Sequence, residues 1–169
     1  VFWTRRGQTL GMASWRLRVE REDLHLTVIG RKKEGGRSAE TIERLGLTDV
    51  VEFVTGVSDQ RIVELYGEAE LAVVPSLYEG FSLPAIEAMA CAAPVLASDR
   101  GALPEVVGDA GIYFDPFDVE SISTAIIEMA ENNSLRAQLS ANALARAGGF
   151  TWQRAAQMTL THLEAMSQR

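Results

Sequence analysis

The sequence predicts an α/β fold, a doubly wound parallel sheet flanked by helices and finished by a helical C-terminal end. Three observations carry that expectation. Short apolar runs alternate with segments of helical periodicity as far as Asp115. The runs are continuously apolar rather than alternating, which is how strands covered on both faces by helices read. Beyond Asp115 the strand-like runs stop and only helical patterns follow.

The first strand is expected at Leu24 to Ile29, and a helix from Ser38 to Leu45 follows the Gly35-Gly36 pair. Strands at Val51 to Val54, Leu71 to Pro75 and Val95 to Ser98, with a weaker one at Ile112 to Phe114, are separated by helices at Asp59 to Glu68, Pro84 to Ala92 and Leu103 to Val107. Parallel strands need such crossovers. The last three helices are expected at Asp118 to Glu131, Ser134 to Ala147 and Thr151 to Gln168, with Gly148-Gly149 as the break and Thr151 as an N-cap. Sheets of this kind bind ligands beyond the carboxyl ends of their strands, so function belongs in the loops that follow strands.

The chain of 169 residues fits a single domain spanning 1–169. Its formal net charge of -7 argues against nucleic acid as the partner. Cys91 is the one cysteine, so no intrachain disulfide and no cysteine-built zinc site can form, and the expected compartment is a reducing cytoplasm. The longest apolar runs, such as LAVVPSL at 71–77, are far shorter than the roughly 20 residues that span a bilayer. Residues 1–22 differ in kind: they hold five Arg against two Glu, whereas the rest carries a net charge of -10. An Arg-rich, acid-poor start suits either a transit peptide or an amphipathic helix over residues 8–21 with Leu10, Trp15, Leu17 and Val19 inward, and the helix is preferred.

One segment, SLYEGFSLPAIEAMACAAPVLAS at 76–98, is legible as chemistry. Glu79 to Leu83 form a turn after a strand, and Pro84 suits the start of a helix because its missing N–H is not needed there. A helix start leaves unpaired N–H groups and a positive dipole end, so the backbone of Phe81 to Leu83, beside Gly80, can bind phosphate oxygens. Glu79 and Glu87 bracket that point, with Glu87 placed in the first helical turn. Carboxylates there can accept hydrogen bonds from hydroxyls at the two ends of a diphosphate, as a nucleotide sugar would present them. The plainer alternative is that Glu87 complements the helix dipole and Glu79 is solvated.

At these residues the sequence resembles the family 4 retaining glycosyltransferases of GT-B type, whose donor-site E-x7-E motif is similar to EGFSLPAIEA, with PSLYEGF before it and AMACAAPVLAS after it. The likeness extends from about Leu24 to the C-terminus through ERLGL, VEFVTGVSDQRIVELY, GALPEVVG and FTW. It implies a Rossmann-like domain, one half of a GT-B enzyme that binds a nucleotide-diphosphate sugar. The N-terminal acceptor domain is expected to be absent from this sequence, leaving the chain inactive alone. By the same resemblance Glu79 is the catalytic candidate, contacting the donor sugar, and Glu87 receives the ribose hydroxyls. The backbone of Gly80, Phe81, Ser82 and Leu83 would hold sugar and distal phosphate, and Thr55, Gly56 and Val57 would line the base. Transfer in the family retains anomeric configuration through an oxocarbenium-like state, so stabilising the leaving diphosphate carries much of the catalysis. No cofactor and no metal is expected, and any membrane association would come through the other half. A stand-alone nucleotide-sugar-binding module working with a separate partner chain is the alternative.

Three departures from the family pattern stand out. The opening loop lacks the GR…KG setting that neutralises the diphosphate, leaving Arg5 or Arg6 as the phosphate candidates. Ala92 replaces the usual Gly after the E-x7-E helix, where a left-handed helix end would be strained. Asp99-Arg100-Gly101 replaces a Gly-Gly loop, where Arg100 could touch phosphate but reads rather as a solvated side chain. Arg31, Lys32 and Lys33 read as a solvated turn. His25, placed in the first strand, and His162 lack partners at metal-ligand spacing. Met89 and Cys91 are expected to pack inward, and Trp152 to cover either this core or the other domain.

Overall fold

The computed structural model describes residues 25–33 and 35–167. The expected helix over 8–21 and the phosphate candidates Arg5 and Arg6 lie outside the described residues. Strands β1 (Leu26–Ile29), β2 (Val51–Val54), β3 (Ala72–Val74), β4 (Val95–Ser98) and β5 (Gly111–Phe114) alternate with helices α1 (Arg37–Arg44), α2 (Asp59–Glu68), α3 (Leu83–Ala90) and α4 (Leu103–Val107). Three helices then follow: α5 (Val119–Glu131), α6 (Asn133–Ala147) and α7 (Trp152–Ser167). Thr151 is the N-cap expected for α7, and the structure adds Ser58, Asp118 and Asn132 at the starts of α2, α5 and α6. Ser58 accepts from the Arg61 N–H at 3.2 Å, Asp118 from Glu120 at 2.9 Å, Asn132 from Leu135 at 3.0 Å and Thr151 from Arg154 at 3.1 Å. His25 precedes β1 and is exposed rather than part of the strand.

All strand pairs are parallel, but they form two ladders, β1–β2 and β3–β4–β5, rather than one continuous sheet. Packing joins what hydrogen bonding does not. On one face Ala72, Val74, Val95 and Ala97 meet Ala85, Ala88 and Met89 of α3 and Leu103, Val106 and Val107 of α4. On the other, Val73, Leu96 and Phe114 meet Ile122, Ile126 and Met129 of α5 and Leu139 of α6. In β1, Leu26 packs against the second cluster and Ile29 against the first, so this strand contributes to both apolar layers. Central β4 is buried throughout, consistent with its unbroken apolar sequence.

Met89 is fully buried and Cys91 half-buried against the α3 side of the core. Burial, and then the nearby Glu87 carboxylate, push the Cys91 thiol up, which makes it a poor nucleophile. Helix α3 ends in a Schellman motif: the Ala92 N–H reaches the Met89 carbonyl and the Ala93 N–H the Ala88 carbonyl, each at 3.0 Å. That motif puts Ala92 at φ 58°, the left-handed conformation that the missing glycine would adopt without strain. No residue of α7 is buried, and Trp152 is 91% exposed, so it does not cover this core. No described helix is long and apolar enough to cross a membrane.

Candidate functional site

The carboxyl end of β3 leads through Pro75 and Ser76 into the turn Glu79 to Ser82, and that turn feeds directly into α3. Helix α3 begins at Leu83, so Pro84 is its second residue and Glu87 lies in the second turn, not the first. Ser82 is the N-cap, but its side chain caps nothing. Its backbone is left-handed at φ 71° and ψ 75°, it is 4% exposed, and its Oγ is buried with no hydrogen-bond partner. The N–H groups of Phe81, Ser82 and Leu83 likewise have no partner among the described residues. Four donors therefore gather at the positive end of a helix dipole, an arrangement suited to an anion.

Glu79 is half-buried beside these donors and is held from two sides. Its Oε1 accepts from Ser76 Oγ at 2.7 Å, and its backbone carbonyl accepts from the Ala102 N–H at 3.1 Å. Gly101, at φ 60°, passes so close that a Cβ there would meet both Glu79 N and Glu79 O at 3.0 Å. A glycine is required on both counts. Ser98, at the end of β4, donates from Oγ to the Ser76 carbonyl. Phe81 and Leu83 are exposed on the turn, and Phe81 meets Phe150 edge to face at 5.7 Å.

Glu87 is exposed on α3 near Tyr66 of α2. Burial first, then the Glu87 carboxylate and the Cys91 thiol, push the Tyr66 hydroxyl up to about 12. Thr55 and Gly56 are exposed and Val57 half-buried in the turn after β2, on the other ladder, with Gly56 at φ 65°. Arg100 is not a free cation: it pairs with Asp99 at 3.0 Å and Asp115 at 3.3 Å and lies over the Phe117 ring. The Phe117 N–H first, then Arg100, hold the Asp115 carboxyl below its ordinary range. Arg31, Lys32 and Lys33 are exposed after β1, and His162 is exposed on α7. Among the described residues no three His, Cys, Asp or Glu side chains gather as metal ligands would.

The structure thus brings Glu79, Gly80, Phe81, Ser82 and Leu83 into one turn, with Glu87 further along the same helix. Thr55, Gly56 and Val57 stand at the end of a different ladder. Sequence reasoning missed Ser76, Ser98 and Tyr66. The signal for Ser76 was its place three residues before Glu79 at a strand end.

Fold and site define the class: one Rossmann-like domain of the GT-B type, matched by solved structures. Sucrose-phosphate synthase from Thermosynechococcus elongatus superposes with a TM-score of 0.79 at 28% identity, covering 96% of this chain and 43% of that one. The C-terminal domain of a glycosyl transferase group 1 family protein from Francisella tularensis has the same fold, with a TM-score of 0.75 at 24% identity over 88% of this chain and 80% of that one.

The chain belongs to the family described as glycosyl transferases group 1, whose model matches residues 7–146. Among its relatives, MMP alpha-(1->4)-mannosyltransferase of Mycolicibacterium hassiacum is 40% identical over 153 residues, covering 88% of this chain and 37% of that protein. O-antigen chain mannosyltransferase B of Escherichia coli is 42% identical over 110 residues, covering 65% of this chain and 29% of that protein. The chain spans about a third of the length of these relatives.

Proposed function

We propose that this chain is the donor-binding domain of a retaining glycosyltransferase and takes a nucleoside-diphosphate sugar, with a mannosyl donor the first to test. The observation that carries the reading is the open N-terminal end of α3. There an unpartnered buried hydroxyl and three free N–H groups sit between two carboxylates that can receive sugar and ribose hydroxyls. Two relatives at 40% and 42% identity are named mannosyltransferases, which supports mannose as the first sugar.

In this reading the distal phosphate rests on the N–H groups of Phe81, Ser82 and Leu83 with the Ser82 hydroxyl as a further donor. Glu79 accepts from the sugar hydroxyls and orients the anomeric carbon, Glu87 accepts from the ribose, and the Thr55 to Val57 turn lies along the base. As the glycosidic bond to the diphosphate breaks, negative charge grows on the leaving oxygen. The fixed N–H donors then bind it more strongly than they bind the ground state, which lowers the barrier. No resident metal or cofactor belongs to the reading. The acceptor is held by a part of the enzyme outside this chain, and the chain alone transfers nothing.

Thermal unfolding with GDP, UDP and ADP, each with and without its sugar, tests the proposal beside Glu87→Ala. A ligand at 100 times its dissociation constant stabilises the native state by about 2.7 kcal/mol, a visible shift. A shift with one base, lost in Glu87→Ala, supports the donor site. No shift with any nucleotide sinks it.

A further inference from the structure

Glu79 is the side chain on which the proposed chemistry turns, and its carboxylate is not free to rotate. Ser76, 1% exposed, donates its hydroxyl to Oε1 at 2.7 Å. Ser76 is itself tethered, because the fully buried Ser98 hydroxyl donates to the Ser76 carbonyl from the end of the neighbouring strand. The Ala102 N–H and the close pass of Gly101 fix the Glu79 backbone. The line Ser98, Ser76, Glu79 therefore runs from the buried centre of the sheet to the turn, across a strand pair held in register by Val74 opposite Ala97.

A glutamate has three side-chain torsions, and ordering it on ligand binding costs about 1 to 2 kcal/mol. An oxygen already bonded to a buried hydroxyl pays that cost during folding and leaves the second oxygen to a ligand. A solvated loop glutamate needs no such support, whereas a carboxylate that must meet a sugar hydroxyl in one orientation does.

We propose that Ser76 is a positioning residue for Glu79: its buried hydroxyl, anchored by Ser98, aims the carboxylate so that Oε2 accepts from a hydroxyl of the donor sugar. This rests on the donor-binding reading above and adds to it the residue that sets the recognition of the sugar apart from that of the nucleotide. Ser76 is 1% exposed and its hydroxyl is spent on Glu79, so its contribution reaches a ligand only through that carboxylate.

Dissociation constants of the full chain for GDP, GDP-mannose, UDP and UDP-glucose test this in Ser76→Ala, Ser76→Thr, Glu79→Gln and the Ser76→Ala/Glu79→Gln double variant. Ser76→Ala is expected to lose about tenfold in affinity for the sugar nucleotide and nothing for the matching nucleoside diphosphate. Ser76→Thr, which keeps the hydroxyl, restores the ratio, and the double variant binds no worse than Glu79→Gln, since the two residues act as one unit. An unchanged ratio in Ser76→Ala, or an equal loss for both ligands with a lowered melting temperature, overturns the proposal. Should Ser76→Ala fail to fold, Ser98→Ala keeps the hydroxyl and loosens its anchor; a smaller fall in the same ratio supports the proposal and an unchanged ratio overturns it. A parent chain that binds none of the four ligands overturns the donor reading and this inference together, whereas one that binds the diphosphates but shows the same ratio in every variant overturns the inference alone.

Discussion

The two ends of α3 carry the two non-glycine residues with left-handed backbone among the described residues, Ser82 at φ 71° and Ala92 at φ 58°. The strain is alike and the surroundings are opposite. At the Ala92 end both Schellman hydrogen bonds are made, and the Ala92 carbonyl accepts from Ser140 Oγ of α6 at 2.7 Å. At the Ser82 end the hydroxyl has no partner and the N–H groups of Phe81, Ser82 and Leu83 are open. Strain closed by a Schellman motif ends a helix; strain beside a buried hydroxyl and N–H groups left over marks a place prepared for something else.

Substitutions at or beside each end test whether the contrast is real. Gly101→Ala has the largest expected effect. A Cβ at φ 60°, 3.0 Å from two Glu79 backbone atoms, should destabilise by about 2 kcal/mol and disturb nucleotide-sugar binding by displacing the turn, as denaturant melts with and without ligand would show. Ser82→Gly relieves the left-handed strain and removes the orphan hydroxyl, so the free protein should gain about 1 kcal/mol or more while its ligand-induced shift in melting temperature shrinks. An undiminished shift would make Ser82 as purely structural as Ala92. Ala92→Gly should stabilise by somewhat under about 1 kcal/mol, because glycine's greater unfolded-state freedom offsets part of the relief, and should leave ligand binding unaltered.

The smallest expected effect lies between the two ends. Tyr66, held at about 12 chiefly by burial and secondarily by Glu87, contributes stability that is full below its ordinary value near 10 and is lost as pH rises toward 12. Glu87→Gln should lower that pKa only slightly in an absorbance titration, since burial remains. A large drop would show Glu87, not burial, to be the main cause.

Much of this was legible beforehand. The apolar runs of β2 and β4, the start signal at Thr151 and the E-x7-E stretch announce their places because they depend on local patterning. The strain at Ala92 was legible too, as a departure at a position where the resembled family keeps glycine. What was not legible depends on the path of the chain through space. Ser76 stands three residues before Glu79, but that spacing closes into a hydrogen bond only through the path of the turn, and Ser98 reaches Ser76 only through the register of β3 on β4. The split into two ladders was hidden for the same reason. Leu26 and Ile29 read like residues of any inner strand, and nothing in their order says that packing rather than hydrogen bonding links them to the rest.

Helix α7 stands apart from all of this. With no buried residue along Trp152–Ser167, its amides should be protected only by the helix's own fraying equilibrium, whereas those of fully buried β4 should open only with the domain as a whole. In deuterated water the chain should separate into two clocks, α7 exchanging orders of magnitude faster than β4. A molecule that settles on α7 would announce itself by slowing the faster clock and leaving the other untouched.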